Sequence, residues 1–276
     1  MRSSNPVLSS LTGNRNQPQP NPYQTGYPQA GYQDPYLAQQ GGSPDAQRPI
    51  TVDDIVTKTG IMLGIIVAVA VVNFLIGTMI NPGLAMLLTI VGAIGGLVTV
   101  LIFSFGRKYG SAPIALTYAA FEGLFVGGIS LMFSGVLVGG ANAGAMIGQA
   151  VLGTVGVFLG MLYVYKSGAV KVTPKFTRIL VGCMVGVLIL IVGNMLMSMF
   201  TSFNVLRDGG PIAIIFSLVC IVLAAMSFLV DFDSADKLVR AGAPANMAWG
   251  VALGLAVTLV WLYTEILRLL SYFNNR

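Results

Sequence analysis

The sequence predicts an all-α polytopic membrane protein, a seven-transmembrane-helix bundle preceded by a disordered N-terminal tail. Three observations carry this reading. Apolar residues make up 55% of the 276-residue chain and charged residues 9%, and the mean hydropathy is +0.80, far too apolar for a water-soluble globule. Seven apolar runs fall at 61–80, 84–105, 113–133, 145–165, 179–200, 211–230 and 248–273, each close to the ~20 residues that cross a hydrocarbon core as a helix. Hydrocarbon offers the backbone no hydrogen-bond partner, and none of the runs shows the alternation of a barrel strand, so the spans are helices.

Ahead of the spans, residues 1–50 are rich in Pro, Gln, Gly, Asn and Tyr and lack apolar periodicity, the composition of a disordered tail. Tyr23, Tyr27, Tyr32 and Tyr36 within it are read as solvated rather than as a binding array. Order is expected to begin at Thr51. This hydroxyl, followed by Asp53 and Asp54, suits a helix N-terminus, and a short interfacial helix is expected before the first span of the 51–276 transmembrane domain. No cleavable signal is expected, because the first apolar run starts some sixty residues in.

Twelve of the fifteen Lys and Arg lie in the N-terminal segment (Arg2, Arg15, Arg48, Lys58) or in alternate loops (Arg107, Lys108, Lys166, Lys171, Lys175, Arg178, Lys237, Arg240). The other side holds Arg207 and Arg276, with Arg268 inside the last span. The positive-inside rule then places the N-terminus in the cytoplasm, and seven spans place the C-terminus outside. A net charge of +5 dispersed among loops reflects orientation and calls for no nucleic-acid partner.

Several chemistries are set aside. Cys183 and Cys220 fall inside apolar spans and imply no disulfide framework. The absence of histidine excludes His-based triads, His metal sites and His pH switches. No phosphate-binding GxxxxGK[ST] loop is present, and the methionines of "MLMSM" (195–199) diverge around a helix, as packing residues do. No catalytic set, cofactor or resident metal is expected, and the chain is not read as an enzyme.

What remains are ionisable groups in or beside the spans, each costing roughly 2.5–3.5 kcal/mol at mid-membrane. Glu122 lies in "YAAFEGLFVGGIS", where Gly123, Gly127 and Gly128 mark a close helix crossing, so structural glue and function are equally good readings. Asp231 and Asp233 end the sixth span, and Asp233 can pair with Lys237 one turn on. Glu265 and Arg268 lie in "WLYTEILRLLS". One reading is a local i,i+3 ion pair with Arg268 snorkelling to the outer interface; the other is that the bundle needs the charge or proton of Glu265. The face of Glu265, with Gly254, Thr258, Trp261 and Tyr272, reads as protein interior, whereas Ala256, Val260, Tyr263, Leu267 and Leu270 read as the lipid side.

The stretches "EGLFVGGIS", "DFDSADKLVRAGAP" and above all "WLYTEILRLLS" resemble the Bax inhibitor family of membrane proteins in its bacterial branch, over residues 55–273. The resemblance implies a bacterial inner membrane protein, a central seventh helix and a pH-dependent calcium leak channel, with calcium as permeant ion. It also implies a proton-sensing pair on the sixth and seventh helices and an arginine latch near the end of the second. Transferred to this sequence, the seventh-helix acid falls on Glu265 and the sixth-helix acid on Asp233 by motif or Asp231 by depth. Arg107 matches the latch by location, and Glu122 receives no settled role. Two carboxylates in low dielectric cannot both ionise cheaply and would share a proton, which acidification completes. The alternatives are a non-transporting regulator acting on a membrane protease or stress pathway and, with no GxGD signature, an intramembrane aspartyl protease.

Overall fold

The computed structural model describes residues 48–106, 108–133, 143–200 and 209–274. Arg107, Arg207, Asp208, Arg276 and the tail tyrosines lie outside them. Seven long helices account for most of the described chain. They are α1 (Val52–Leu75, running into a π-helical turn, Ile76–Ile80), α2 (Pro82–Phe105), α3 (Ala112–Phe133), α4 (Ala143–Lys166), α5 (Pro174–Phe200), α6 (Pro211–Arg240) and α7 (Ala248–Asn274). All seven are long and apolar enough to cross a membrane. Among the described residues there is no β-strand, and Pro49 and Pro244 form an isolated antiparallel bridge.

Local chemistry explains the helix ends. Thr51 Oγ1 accepts from the Asp54 amide at 3.2 Å while Asp54 accepts from the Thr51 amide at 2.9 Å, a reciprocal cap that Arg48 reinforces with two bonds to the same carboxylate. This cap opens the transmembrane helix itself. Among the described residues no separate interfacial helix of the kind expected from the sequence precedes the first span, because nothing between Val52 and the apolar run interrupts helix propagation once the cap has formed. Asn81 caps α2 by accepting from the amides of Gly83 and Leu84, with Pro82 at the first helical position.

At its other end α6 runs ten residues past Val230, where the apolar run stops, so Asp231 and Asp233 lie on continuous helix. It is closed by Gly242 at φ 62°, with Gly242 and Ala243 amides donating to Val239 and Leu238.

The start of α1 and the α6–α7 connection share one end of the bundle. The Ile50 amide donates to Ala243 at 2.7 Å, and the Ala245 amide donates to Arg48 at 2.9 Å. The opposite end, called here the far end, holds the last turns of α1, α3 and α7.

α7 is the central helix, packed by α1, α3, α4 and α6, whereas α5 leans on α6 and is mostly exposed. Both faces of α7 are therefore covered. Ala256, Val260, Tyr263 and Leu267, expected on a lipid side, are buried in a core with Met62 and Ile66 of α1 and Tyr118 of α3. A second core joins α7 to α6 through Leu255, Leu259, Leu262, Phe228 and Phe232. The hydrophobic pattern of α7 misleads because its neighbours are as apolar as lipid.

The α1–α3 contact is as tight as the glycines of α3 predict. A Cβ on Gly123 would stand 2.7 Å from the Ile66 carbonyl oxygen, and one on Gly127 2.3 Å from that of Ala70. Backbones approach this closely only where the side chain is a hydrogen.

Candidate functional site

The buried polar groups of α7 and its partners form the candidate site, and they tie α7 to α6 at two levels. At the far level, Arg268 donates to Glu265 one turn earlier, to Ser217 Oγ of α6 at 3.1 Å, and lies 5.5 Å from the centre of the Phe216 ring. Glu265 is buried, and the Trp261 side chain lies beside it one turn back on the same helix. The i,i+3 pair read from sequence is present. Its arginine points inward to α6, in place of the expected snorkelling, because Ser217, itself fully buried, offers an acceptor inside the bundle.

At the second level Thr258, seven residues before Glu265, donates to Asp231 of α6 at 2.8 Å. Asp233 lies two residues on and faces away, pairing with Lys237 of its own helix at 2.5 Å. Beyond it Asp236 pairs with Arg240 at 2.8 Å and accepts from the Tyr165 hydroxyl of α4 at 3.4 Å. The two acids between which the sequence left the choice open thus have different partners: Asp231 meets the central helix and Asp233 does not.

Glu265 and Asp231 are not direct partners here. Each is held by its own donors, and Thr258 and Glu265 stand about 10 Å apart along the axis at 1.5 Å per residue. Glu122 belongs to a third place. It stands beside the Tyr118 side chain one turn earlier and lies against Gly96 of α2, where an added Cβ would be 3.2 Å from Glu122 Oε2. Arg107, the expected latch, is outside the described residues, and its neighbour Lys108 is exposed. Among the described residues no three His, Cys, Asp or Glu side chains gather in a way that could hold a metal ion.

Two buried polar residues escaped the sequence reading. Lys58, only 7% exposed, donates from Nζ to the Ala245 carbonyl at 2.8 Å and lies 5.5 Å over the Trp249 ring. Counted as a basic flank, it is in fact a clamp between α1 and the start of α7. Asn73, fully buried, donates from Nδ2 to the Leu124 carbonyl at 2.6 Å and to Thr89 at 3.2 Å, joining α1, α2 and α3. Its signal was the lone amide inside the apolar run "AVVNFLIG", which a search for charges passes over.

These features define a class: a polytopic helical membrane protein whose last helix is central, carries one buried acid paired within the helix, and bonds to a second acid on the helix before it. Within that class the chain belongs to the Bax inhibitor 1-like family, whose model matches residues 5–275. The match reaches into the Pro- and Gln-rich segment that the resemblance noted above leaves out. No curated protein matches the chain.

Proposed function

We propose that the protein is a pH-sensitive calcium leak channel whose α6–α7 contact responds to protonation of Asp231 and Glu265. The observation that carries this reading is the pair of ties between α6 and α7, one accepted by a carboxylate, Asp231, and the other donated by an arginine that is itself paired with Glu265. Protonation of Glu265 removes the counter-charge of Arg268, and protonation of Asp231 turns its ionic acceptor into a neutral one, so both ties weaken as pH falls. A looser α6 exposes carboxylate and carbonyl oxygens to a passing cation, and oxygen ligands suit calcium, which here is cargo rather than a resident ion. The two acids act through separate contacts in this scheme, and an arginine latch at Arg107 is an added element of it.

The test is calcium flux into liposomes containing the purified protein. Leak should rise on acidification, and Asp231→Asn and Glu265→Gln should each flatten the pH profile while the protein remains inserted. Absence of leak at every pH, in protein that is monodisperse and inserted, would reject the channel and favour the non-transporting regulator.

A further inference from the structure

α1 and α4 both pack on α7 but leave a crevice between them. It encloses ≈ 360 Å³, within the roughly 300–1,000 Å³ of ordinary ligand sites. Its floor is Leu259 and Tyr263 of α7, both at least nine-tenths buried, and its mouth is formed by Val67 and Val71 of α1 and Val151 and Val155 of α4, all exposed between 46% and 60%. None of the acids of the candidate site lines it.

Three properties identify what fills this space. Its position is intramembrane, since every wall residue lies in a membrane-spanning helix. Its extent fits one leaflet: along α1 it runs from Leu63 to Leu75, about 18 Å at 1.5 Å per residue, against about 15 Å for half a hydrocarbon core, and it occupies the half of the bundle toward the far end. Its chemistry excludes water and ions. The wall hydroxyls are already engaged, Ser130 with the Val126 carbonyl at 2.6 Å and with Tyr263 at 2.7 Å, and Thr154 with the Ala150 carbonyl at 2.8 Å. A ligand here finds no free polar partner and must itself be apolar and elongated.

We infer that this crevice is a lipid site, in which one acyl chain of a bilayer lipid from the far leaflet lies between α1 and α4 against the central helix. The chain lies over Leu259 and Tyr263, filling the gap that α1 and α4 leave between them on this side of α7. This site is independent of the proposed channel activity.

The experiment uses the full chain reconstituted in phosphatidylcholine vesicles that include a phosphatidylcholine bearing a diazirine near the end of one acyl chain. After photolysis, labelled residues are mapped by mass spectrometry. Labelling of Leu259 or Tyr263 is expected, at floor positions that lipids sliding over the outer surface do not reach. Leu188 of α5, 58% exposed, serves as the outer-surface reference. Val151→Trp, which fills the mouth from an exposed position, should lower floor labelling by about fivefold or more, as overpacking of 1 kcal/mol or above implies, and leave Leu188 unchanged. Val155→Trp is the second blocking variant should the first fail to assemble. Wild-type labelling confined to outward residues such as Val67 and Leu188 would overturn the inference, as would floor labelling that persists with the mouth filled. A helix of a second copy seated in the crevice would leave the floor and the mouth residue Val67 unlabelled while Leu188 stays labelled, and that pattern would also overturn the inference.

Discussion

Thr258 on α7 donates its hydroxyl to Asp231 on α6 at 2.8 Å, whereas Asp233, two residues on, is bound to Lys237 of its own helix. Loss of the partner contact should therefore cost differently at the two acids. Thr258→Val leaves a half-buried carboxylate without its donor and should cost about 1–3 kcal/mol of stability, with altered calcium flux. Asp233→Asn disrupts an i,i+4 pair whose lysine is 72% exposed, and it should change stability by less than about 0.5 kcal/mol. Thermal unfolding in detergent, read by tryptophan fluorescence, compares them. Equal losses would mean that Asp231 has no special place.

The α1–α3 crossing makes a second prediction. Gly127→Ala puts a methyl 2.3 Å from the Ala70 carbonyl oxygen and 3.0 Å from its Cα, and backbone cannot yield as a side-chain tip can. The variant should lose at least about 1–3 kcal/mol and much of its monodisperse yield, while Gly156→Ala in α4, with nothing within 4 Å, should behave as wild type. Size-exclusion profiles of the two decide it.

These contrasts mark how far the sequence could be read. Hydrocarbon thickness imposes length on each span, so seven spans follow from composition, and the glycines at 123, 127 and 128 announce a close crossing. The helix ends were less legible. An α-helix continues through the headgroup region wherever a cap or charged side chains allow, as α1 does from Thr51 and α6 does to Arg240. Within the site, the Glu265–Arg268 pair was legible because it is local. That Asp231, and not Asp233, meets α7 was not, because it depends on which α7 hydroxyl stands opposite, and neither was the inward turn of Arg268, which depends on Ser217 fifty-one residues away. Lys58 was misplaced because its acceptor is a backbone carbonyl, and carbonyls leave no trace in a sequence pattern.

Lys58→Met tests the clamp at the start of α7. The methionine keeps the buried stem but leaves the Ala245 carbonyl without its charged donor, a loss of about 1.5–3 kcal/mol. Amide exchange should accelerate first at the α6–α7 connection, residues 243–247, which the Arg48–Ile50 segment also binds. Uniform acceleration through α1 instead would show that Lys58 acts on its own helix only.

Orientation is predicted from the distribution of basic residues. A reporter active only outside the cytoplasm should be active when fused after Arg276 and inactive when inserted in the loop between Lys166 and Pro174, which carries Lys171 and adjoins Lys175 and Arg178. The reverse pattern would invert the orientation, and equal activity at both sites would contradict the three spans, α5 to α7, that separate them.

The ion pair at the far level separates a sensor from a structural contact. Glu265→Gln leaves Arg268 with Ser217 but without a counter-charge, and Arg268→Gln leaves Glu265 buried without its cation. Removing one partner of a buried pair costs about 3–5 kcal/mol, whereas removing both strands no charge. The double variant should therefore recover most of the stability that either single variant loses, and the coupling can be measured as a cycle in thermal unfolding. Flux adds the part that stability cannot give. If protonation of Glu265 loosens α6 from α7, the double variant is stable yet has a weakened response to pH, because no carboxylate remains at that level to discharge; the residual response belongs to Asp231 and disappears on adding Asp231→Asn. A double variant with the full wild-type pH profile would show that Glu265 and Arg268 only hold the helices together, and gating would have to be sought at Asp231 or at Glu122.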